Sequence, residues 1–125
     1  MITNSKEYQL FTELLKQYTV LQILLKVIPL EVKELHHSRL KLSRLYCRIL
    51  ERIHQQVEKD IHQLRRQITQ LGGCIISEQQ ERTFRLVTTK FRGYLYQHRY
   101  TNDVLRGECE KLLFCYLTGE RGGER

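Results

Sequence analysis

Three ionisable side chains on a predicted long helix have the spacing of metal ligands. His54, Glu58 and His62 follow one another at intervals of four residues, so they lie along one stripe of the helix. Two imidazoles and a carboxylate are ligands for Zn²⁺ or Fe²⁺. However, the stripe adjoins an apolar face, the HExxH pattern is absent, and no other segment offers a matching cluster. The stripe is more typical of the solvated flank of a long helix, and we predict no metal.

Catalytic chemistry has equally little support in the sequence. The four cysteines, Cys47, Cys74, Cys109 and Cys115, contain no CxxC pair, and there is no GxSxG elbow or phosphate-binding glycine loop. Only two aspartates, Asp60 and Asp103, are present. We therefore predict no catalytic residue and no cofactor. The cysteines are expected to be unpaired, mostly as small buried hydrophobic residues in a reducing cytosol.

Two basic segments are the strongest candidates for binding a partner. Residues 39–48 carry four cations and no acid, and residues 82–106 interleave arginines with aromatic residues. Such mixtures stack on bases and hold phosphates, form protein–protein hot spots, or close the end of a small core, and all three readings stay open here. The candidate partner-binding or anion-binding residues are Arg92, Tyr94, Tyr96, Arg99, Tyr100 and Arg106.

Apolar periodicity predicts the helices that would position these residues. A first helix is predicted from its N-cap, Ser5, with apolar residues every three or four positions up to Ile28. Pro29 removes an amide donor, so this helix is expected to kink or end there, with further helical turns up to His37. A second helix is predicted from a cap at Ser43 to Leu71, before the glycine pair 72–73. Its apolar seam is formed by Tyr46, Leu50, Ile53, Val57, Ile61, Leu64, Ile68 and Leu71.

The period changes after the glycine pair. Residues 74–91 are rich in β-branched and aromatic residues and predict a small β-hairpin, while residues 90–100 are ambiguous, with a break at Gly93. A last helix is predicted to begin near Thr101. The fold class is therefore mainly α (α+β): long antiparallel helices, a hairpin and a C-terminal helix. Residues 1–118 would form one domain, followed by a flexible tail at 119–125.

Size and charge indicate a self-associating protein. The second helix would measure roughly 43 Å, whereas a compact chain of this length is roughly 35 Å across, so a second copy is expected to cover its seam. The net charge of +7 permits an anionic partner. The sequence has no signal peptide and no apolar run of membrane-spanning length, so we expect a cytoplasmic protein with no membrane partner.

Several short motifs resemble a known family. They are KLSRLY at 41–46, RGY at 92–94, RYTN at 99–102, LRGE at 105–108 and LLFCYL at 112–117. This arrangement is similar to the YhjD-like proteins, small uncharacterised cytosolic proteins of Bacillus-type Firmicutes. The resemblance implies a cytosolic, helix-rich fold, and it transfers no functional residue.

These observations favour a non-enzymatic interaction or regulatory module that associates as a homodimer. The alternative is a nucleic-acid-binding regulator that uses segments 39–48 and 82–106, with the hairpin as the wing of a winged-helix-like domain.

Overall fold

The computed structural model of the chain describes residues 5–119. These residues form three helices and one three-stranded antiparallel sheet, which confirms the predicted mainly α (α+β) class. In chain order the elements are α1 (Ser5–His36), α2 (Ser43–Leu71), β1 (Gly73–Gln80), β2 (Phe84–Phe91), β3 (Tyr94–Thr101) and α3 (Asn102–Thr118). Residues 1–4 and most of the predicted tail, 120–125, lie outside the described range.

α1 and α2 form an antiparallel hairpin that holds most of the core. Five members of the predicted α2 seam, Ile53, Val57, Ile61, Leu64 and Ile68, are buried in one cluster with apolar residues of α1. Because α1 is 32 residues long and α2 is 29, the partner helix covers the seam within the same chain. Covering this seam therefore does not require a second copy, and self-association stays a prediction.

The sequence predicts that the first helix kinks or ends at Pro29. An end at this residue is wrong, because α1 continues through Pro29 to His36. Proline has no N–H to give to the carbonyl four residues earlier, which here belongs to Leu25. The ring of His54 on α2 fills this gap, with its Nε2 donating to the Leu25 oxygen at 3.2 Å. A side chain from the neighbouring helix thus satisfies the carbonyl that the proline leaves without a partner.

The two ends of α2 differ in how well they are capped. Ser43 is the first helical residue rather than the predicted cap, and the cap position is held by Leu42, which makes no side-chain hydrogen bond. The other end follows the prediction, because Gly72 has a positive φ of 98° and its amide donates to the last carbonyls of the helix.

The predicted hairpin at 74–91 corresponds to β1 and β2, and the structure adds a third strand. Arg92 and Gly93 both have positive φ (53° and 91°), so they form a two-residue turn that leads into β3. Val87, Thr89 and Phe91 of β2 face the helices and are buried. An irregularity between Ile75 and Ser77 shifts the register of β1 by one residue.

α3 packs against both helices of the hairpin and starts where the sequence predicts. The Thr101 side chain caps it by accepting from the amide of Val104 at 3.3 Å. The helix is held by a hydrogen bond of 2.5 Å from the Tyr116 hydroxyl to Asp60 and by the Cys109 thiol near the Val20 carbonyl. Leu105 is the one buried residue among those described in α3. Across residues 5–119, no helix has the length and apolarity needed to cross a membrane.

Candidate functional site

The predicted binding segment, Arg92 to Arg106, forms the β2–β3 turn, the whole of β3 and the first turns of α3. At about 3.3 Å per residue, Tyr94 and Tyr100, near the two ends of β3, stand about 20 Å apart along the strand. Side chains alternate across a sheet, so Tyr96 and Tyr100 face the helices whereas Arg99 projects from the opposite side. The six candidate residues are therefore not brought together into one site, and partner binding at this segment stays a prediction.

Arg92 anchors the β2–β3 turn to both long helices. Its guanidinium pairs with Glu7 of α1 and donates from Nε to the Leu71 carbonyl at 3.3 Å. Its backbone amide donates to the Gly72 carbonyl at 3.1 Å. These three contacts hold a non-glycine residue in the left-handed region, so the arginine has a clear structural role.

Tyr96 and Tyr100 belong to the underside of the sheet, where aromatic rings close one end of the core. Tyr96 lies 4.8 Å from the Tyr8 ring, and Phe91 stacks on Phe11 at 4.6 Å. Burial, with a smaller effect from Tyr8, raises the pKa of Tyr100 to about 12. The Tyr100 hydroxyl therefore stays protonated and is suited to packing rather than to acid–base chemistry.

His98 lies in the same cluster and is hydrogen-bonded to the buried Thr89 hydroxyl at 3.0 Å. Burial lowers the pKa of His98, which favours the neutral ring. The partners of this histidine are a hydroxyl and aromatic rings, so it has the surroundings of a structural residue.

The remaining candidates lie on three separate surfaces. The Arg99 guanidinium stacks 3.9 Å above the Phe84 ring on the outer face of the sheet. Tyr94 is exposed beside the β2–β3 turn, and Arg106 is exposed on α3. A partner that contacted all of them would have to cover the sheet and α3 together.

The possible metal stripe on α2 has no ligand geometry. His54 is occupied by the Leu25 carbonyl, whereas Glu58 and His62 are exposed. Within residues 5–119, no group of three or more histidine, cysteine or acidic side chains is placed so that it could hold a metal ion.

The cysteines are all free in the structure. Cys47 is buried, Cys109 and Cys115 are half-buried, and Cys74, contrary to the general expectation, is exposed. Burial and then the carboxylates of Glu108 and Glu110 raise the pKa of Cys109 to about 11. Cys109 therefore stays a thiol and is a poor nucleophile.

Two exposed apolar surfaces remain outside these clusters, and the first is on α3. Six consecutive apolar residues, 112–117, run around the whole circumference of the helix, but only one side of it packs on α1 and α2. Phe114 is 62% exposed and Leu117 is 51% exposed. We call this surface the α3 outer face; it comprises Asp103, Val104, Arg106, Gly107, Glu110, Lys111, Phe114 and Leu117.

The second surface is the closed end of the helical hairpin, residues 36–48, which we call the hairpin tip. Four exposed apolar residues stand within seven positions: Leu40, Leu42, Leu45 and Tyr46. Four exposed cations are interleaved with them: Arg39, Lys41, Arg44 and Arg48. The sequence predicts a partner at these cations but places Tyr46 in the apolar seam of α2, whereas Tyr46 is 40% exposed.

Comparison with known proteins identifies a family for this chain. The family described as YhjD protein matches residues 7–121. A relative, the uncharacterised protein YhjD of Bacillus subtilis (strain 168), is 24% identical over 105 residues, which cover 84% of this chain and 88% of the relative. No solved structure matches the chain. Since the family match extends over nearly the whole sequence, this chain belongs to the YhjD family.

Proposed function

We propose that this protein is a non-enzymatic interaction module that associates with a second copy of itself through the α3 outer face. The observation that carries the proposal is the apolar run at 112–117. A surface helix is normally apolar on one stripe, and a helix that is apolar all round is normally covered all round. Here Phe114 and Leu117 point away from the core. A second copy would cover them.

Gly107 supports a close helix–helix contact at this surface. A glycine inside a helix costs about 1 kcal/mol relative to alanine. A methyl group added at Gly107 would meet no atom of the described chain within 4 Å, so packing inside the chain does not require a glycine there. The close approach of a partner's backbone would require one.

The charges of the α3 outer face suit contact with an identical surface. Asp103 and Glu110 are balanced by Arg106 and Lys111, and all four side chains are exposed. Two copies that meet by a twofold axis can therefore pair opposite charges around Phe114, and such isologous dimers are the commonest closed assemblies. The seam of α2 is less suited to this role because α1 already covers it.

Nucleic-acid binding through segments 39–48 and 82–106 remains the alternative, and the second segment now supports it less. Arg85 pairs with Glu78, Arg92 pairs with Glu7, and Arg99 stacks on Phe84. These arginines have roles inside the chain. The first segment keeps its exposed cations in the hairpin tip.

Light scattering after size exclusion tests the proposed self-association. At about 100 µM, an interface with a micromolar Kd would give twice the chain mass of 15.1 kDa. Phe114→Asp should give a monomer with an unchanged circular dichroism spectrum, because a central aromatic residue of an interface contributes about 2 kcal/mol or more. Leu95→Asp is the matched control, since Leu95 is 67% exposed on the outer face of the sheet. A strictly monomeric wild-type protein would contradict the proposal, as would a Phe114→Asp dimer.

A further inference from the structure

The hairpin tip combines exposed apolar side chains with exposed cations. Leu40 and Leu42, in the loop, are 54% and 55% exposed, and Leu45 and Tyr46 follow in the first turn of α2. The turn has internal hydrogen bonds, because the Ser38 hydroxyl donates to the Leu35 carbonyl at 2.7 Å and accepts from the Leu40 amide at 3.3 Å. The leucines are thus presented outward by an ordered turn.

The charge of the tip is of one sign. No acid occurs between Leu35 and Leu50. None of the four tip cations takes part in the ion pairs found among residues 5–119. A second copy presenting the same tip would be repelled, so the surface complements an anion.

The start of α2 adds further attraction for an anion. Its cap residue, Leu42, provides no side-chain acceptor, and the first turn contains no acid. The turn instead contains Arg44, whose charge opposes the helix dipole. The Ser43 amide donates to the Leu40 carbonyl at 3.3 Å, whereas the next two amides, of Arg44 and Leu45, have no carbonyl four residues earlier in the helix to bond. Free amides at a helix N-terminus favour phosphate, so the lack of a capping side chain and of an acid at this helix end improves its fit to a phosphate group.

We propose that the hairpin tip binds the surface of a membrane that contains anionic phospholipids. The cations would contact the headgroups while the leucines enter the interface beneath them. This differs from the expectation of no membrane partner, which rested on the absence of a spanning segment. A lipid surface explains the leucines, whereas a nucleic-acid duplex would need only the cations. A lipid surface also suits the small size of the tip, because a stable interface with another protein would need about 800 Å² on each partner.

Co-sedimentation of the wild-type protein with vesicles tests the proposal. Vesicles with roughly one third phosphatidylglycerol in phosphatidylcholine should bind the protein, and vesicles of phosphatidylcholine alone should bind it at least about tenfold more weakly. Binding should fall as ionic strength rises from about 0.05 M to about 0.5 M, since the headgroup attraction is screened. Equal binding to both vesicles, or no binding at low salt, would overturn the proposal.

Two sets of variants separate the contributions of charge and leucine. Replacing Arg39, Lys41 and Arg48 together by glutamine should weaken vesicle binding about a hundredfold, at about fivefold per cation. The matched control replaces three other exposed cations, Lys59, Arg66 and Lys90, by glutamine and should have a much smaller effect.

Leu40→Ser with Leu42→Ser should weaken vesicle binding about tenfold, because less apolar surface enters the interface. Ile76→Ser with Leu95→Ser, both exposed on the sheet, is the control and should leave binding unchanged.

If the tip leucines prove irrelevant while a mixed-sequence DNA duplex binds as tightly as the vesicles, the surface is a nucleic-acid contact and the proposal is wrong. Circular dichroism checks the fold of each variant. If one variant does not fold, the dependence of wild-type binding on lipid headgroup and on salt still tests the proposal.

Discussion

The α3 outer face and the hairpin tip expose side chains of similar apolarity and differ in charge. Phe114 and Leu117 on α3 are surrounded by two acids and two cations, whereas the leucines of the tip stand among four cations and no acid. Apolar exposure alone would make both surfaces interfaces of the same kind. The difference in charge assigns them different partners, because a balanced surface can meet its own copy and a cationic one repels it.

Both surfaces also contain a residue that is a poor choice for its own helix. Gly107 weakens the middle of α3, and Arg44 opposes the dipole at the start of α2. Natural sequences depart from local rules mainly where function requires it. Substitutions that repair these two positions are therefore expected to stabilise the protein while they weaken binding.

The largest expected effect concerns the α1–α2 hairpin, which ends in the tip and against which α3 packs. His54→Leu would leave the Leu25 carbonyl without the imidazole donor and, because of Pro29, without an amide donor. We expect the free energy of unfolding, measured with urea, to fall by about 1–3 kcal/mol. The folded variant should still dimerise and bind vesicles, since His54 belongs to neither surface.

Pro29→Ala provides the control for this effect. The amide of an alanine at position 29 would donate to the Leu25 carbonyl. In the Pro29→Ala background, His54→Leu should therefore lower the free energy of unfolding by less than about 1 kcal/mol. An equal loss in both backgrounds would mean that the histidine stabilises the hairpin in some other way.

Arg44→Glu tests the hairpin tip. The change reverses one charge, so binding to anionic vesicles should weaken about twenty-five-fold, at about fivefold for each unit of charge. Thermal unfolding should show a stability gain of about 0.5–1 kcal/mol, because an acid in the first turn suits the helix dipole. Self-association should not change. Weaker dimers together with unchanged vesicle binding would reverse the assignment of the two surfaces.

Gly107→Ala tests the α3 outer face and has the smallest expected effect. The monomer should gain about 1 kcal/mol in stability from helix propensity, measured by urea unfolding of the Phe114→Asp background. The dimer should weaken by about fivefold in sedimentation equilibrium, because the added methyl group keeps the two backbones apart. If the dimer is unchanged or tighter, Gly107 is not at a close helix contact.

The sequence predicted the helices well because their apolar periods are long. α2 ends at the predicted Leu71 and begins at Ser43, which the sequence predicts as the cap, and the start of α3 follows from a capping threonine. β3 is not predicted from the sequence, because Gly93 indicates a break in the chain as readily as a hairpin turn. The hydrogen bond that replaces the one missing at Pro29 comes from His54, which is 25 residues away along the chain.

The candidate site is less predictable from the sequence, because the directions of its side chains depend on β3. Once residues 94–101 form a strand, alternation sends Tyr96 and Tyr100 inward and Arg99 outward, and an aromatic–arginine segment no longer forms one surface. The exposed leucines of the tip could not be identified from the sequence, because whether Leu42 or Leu45 is covered depends on how the two helices pack around the turn.

Sedimentation equilibrium of the wild-type protein at low and high salt tests the central claim most directly. An α3 interface of balanced charge and apolar contacts predicts a dimer whose Kd changes less than about threefold between about 0.05 M and about 0.5 M salt. The Phe114→Asp variant should be a monomer at both salt concentrations, and the Arg39, Lys41 and Arg48 glutamine variant should remain a dimer. A monomeric wild-type protein, or a dimer that dissociates when the tip rather than α3 is changed, would contradict the account.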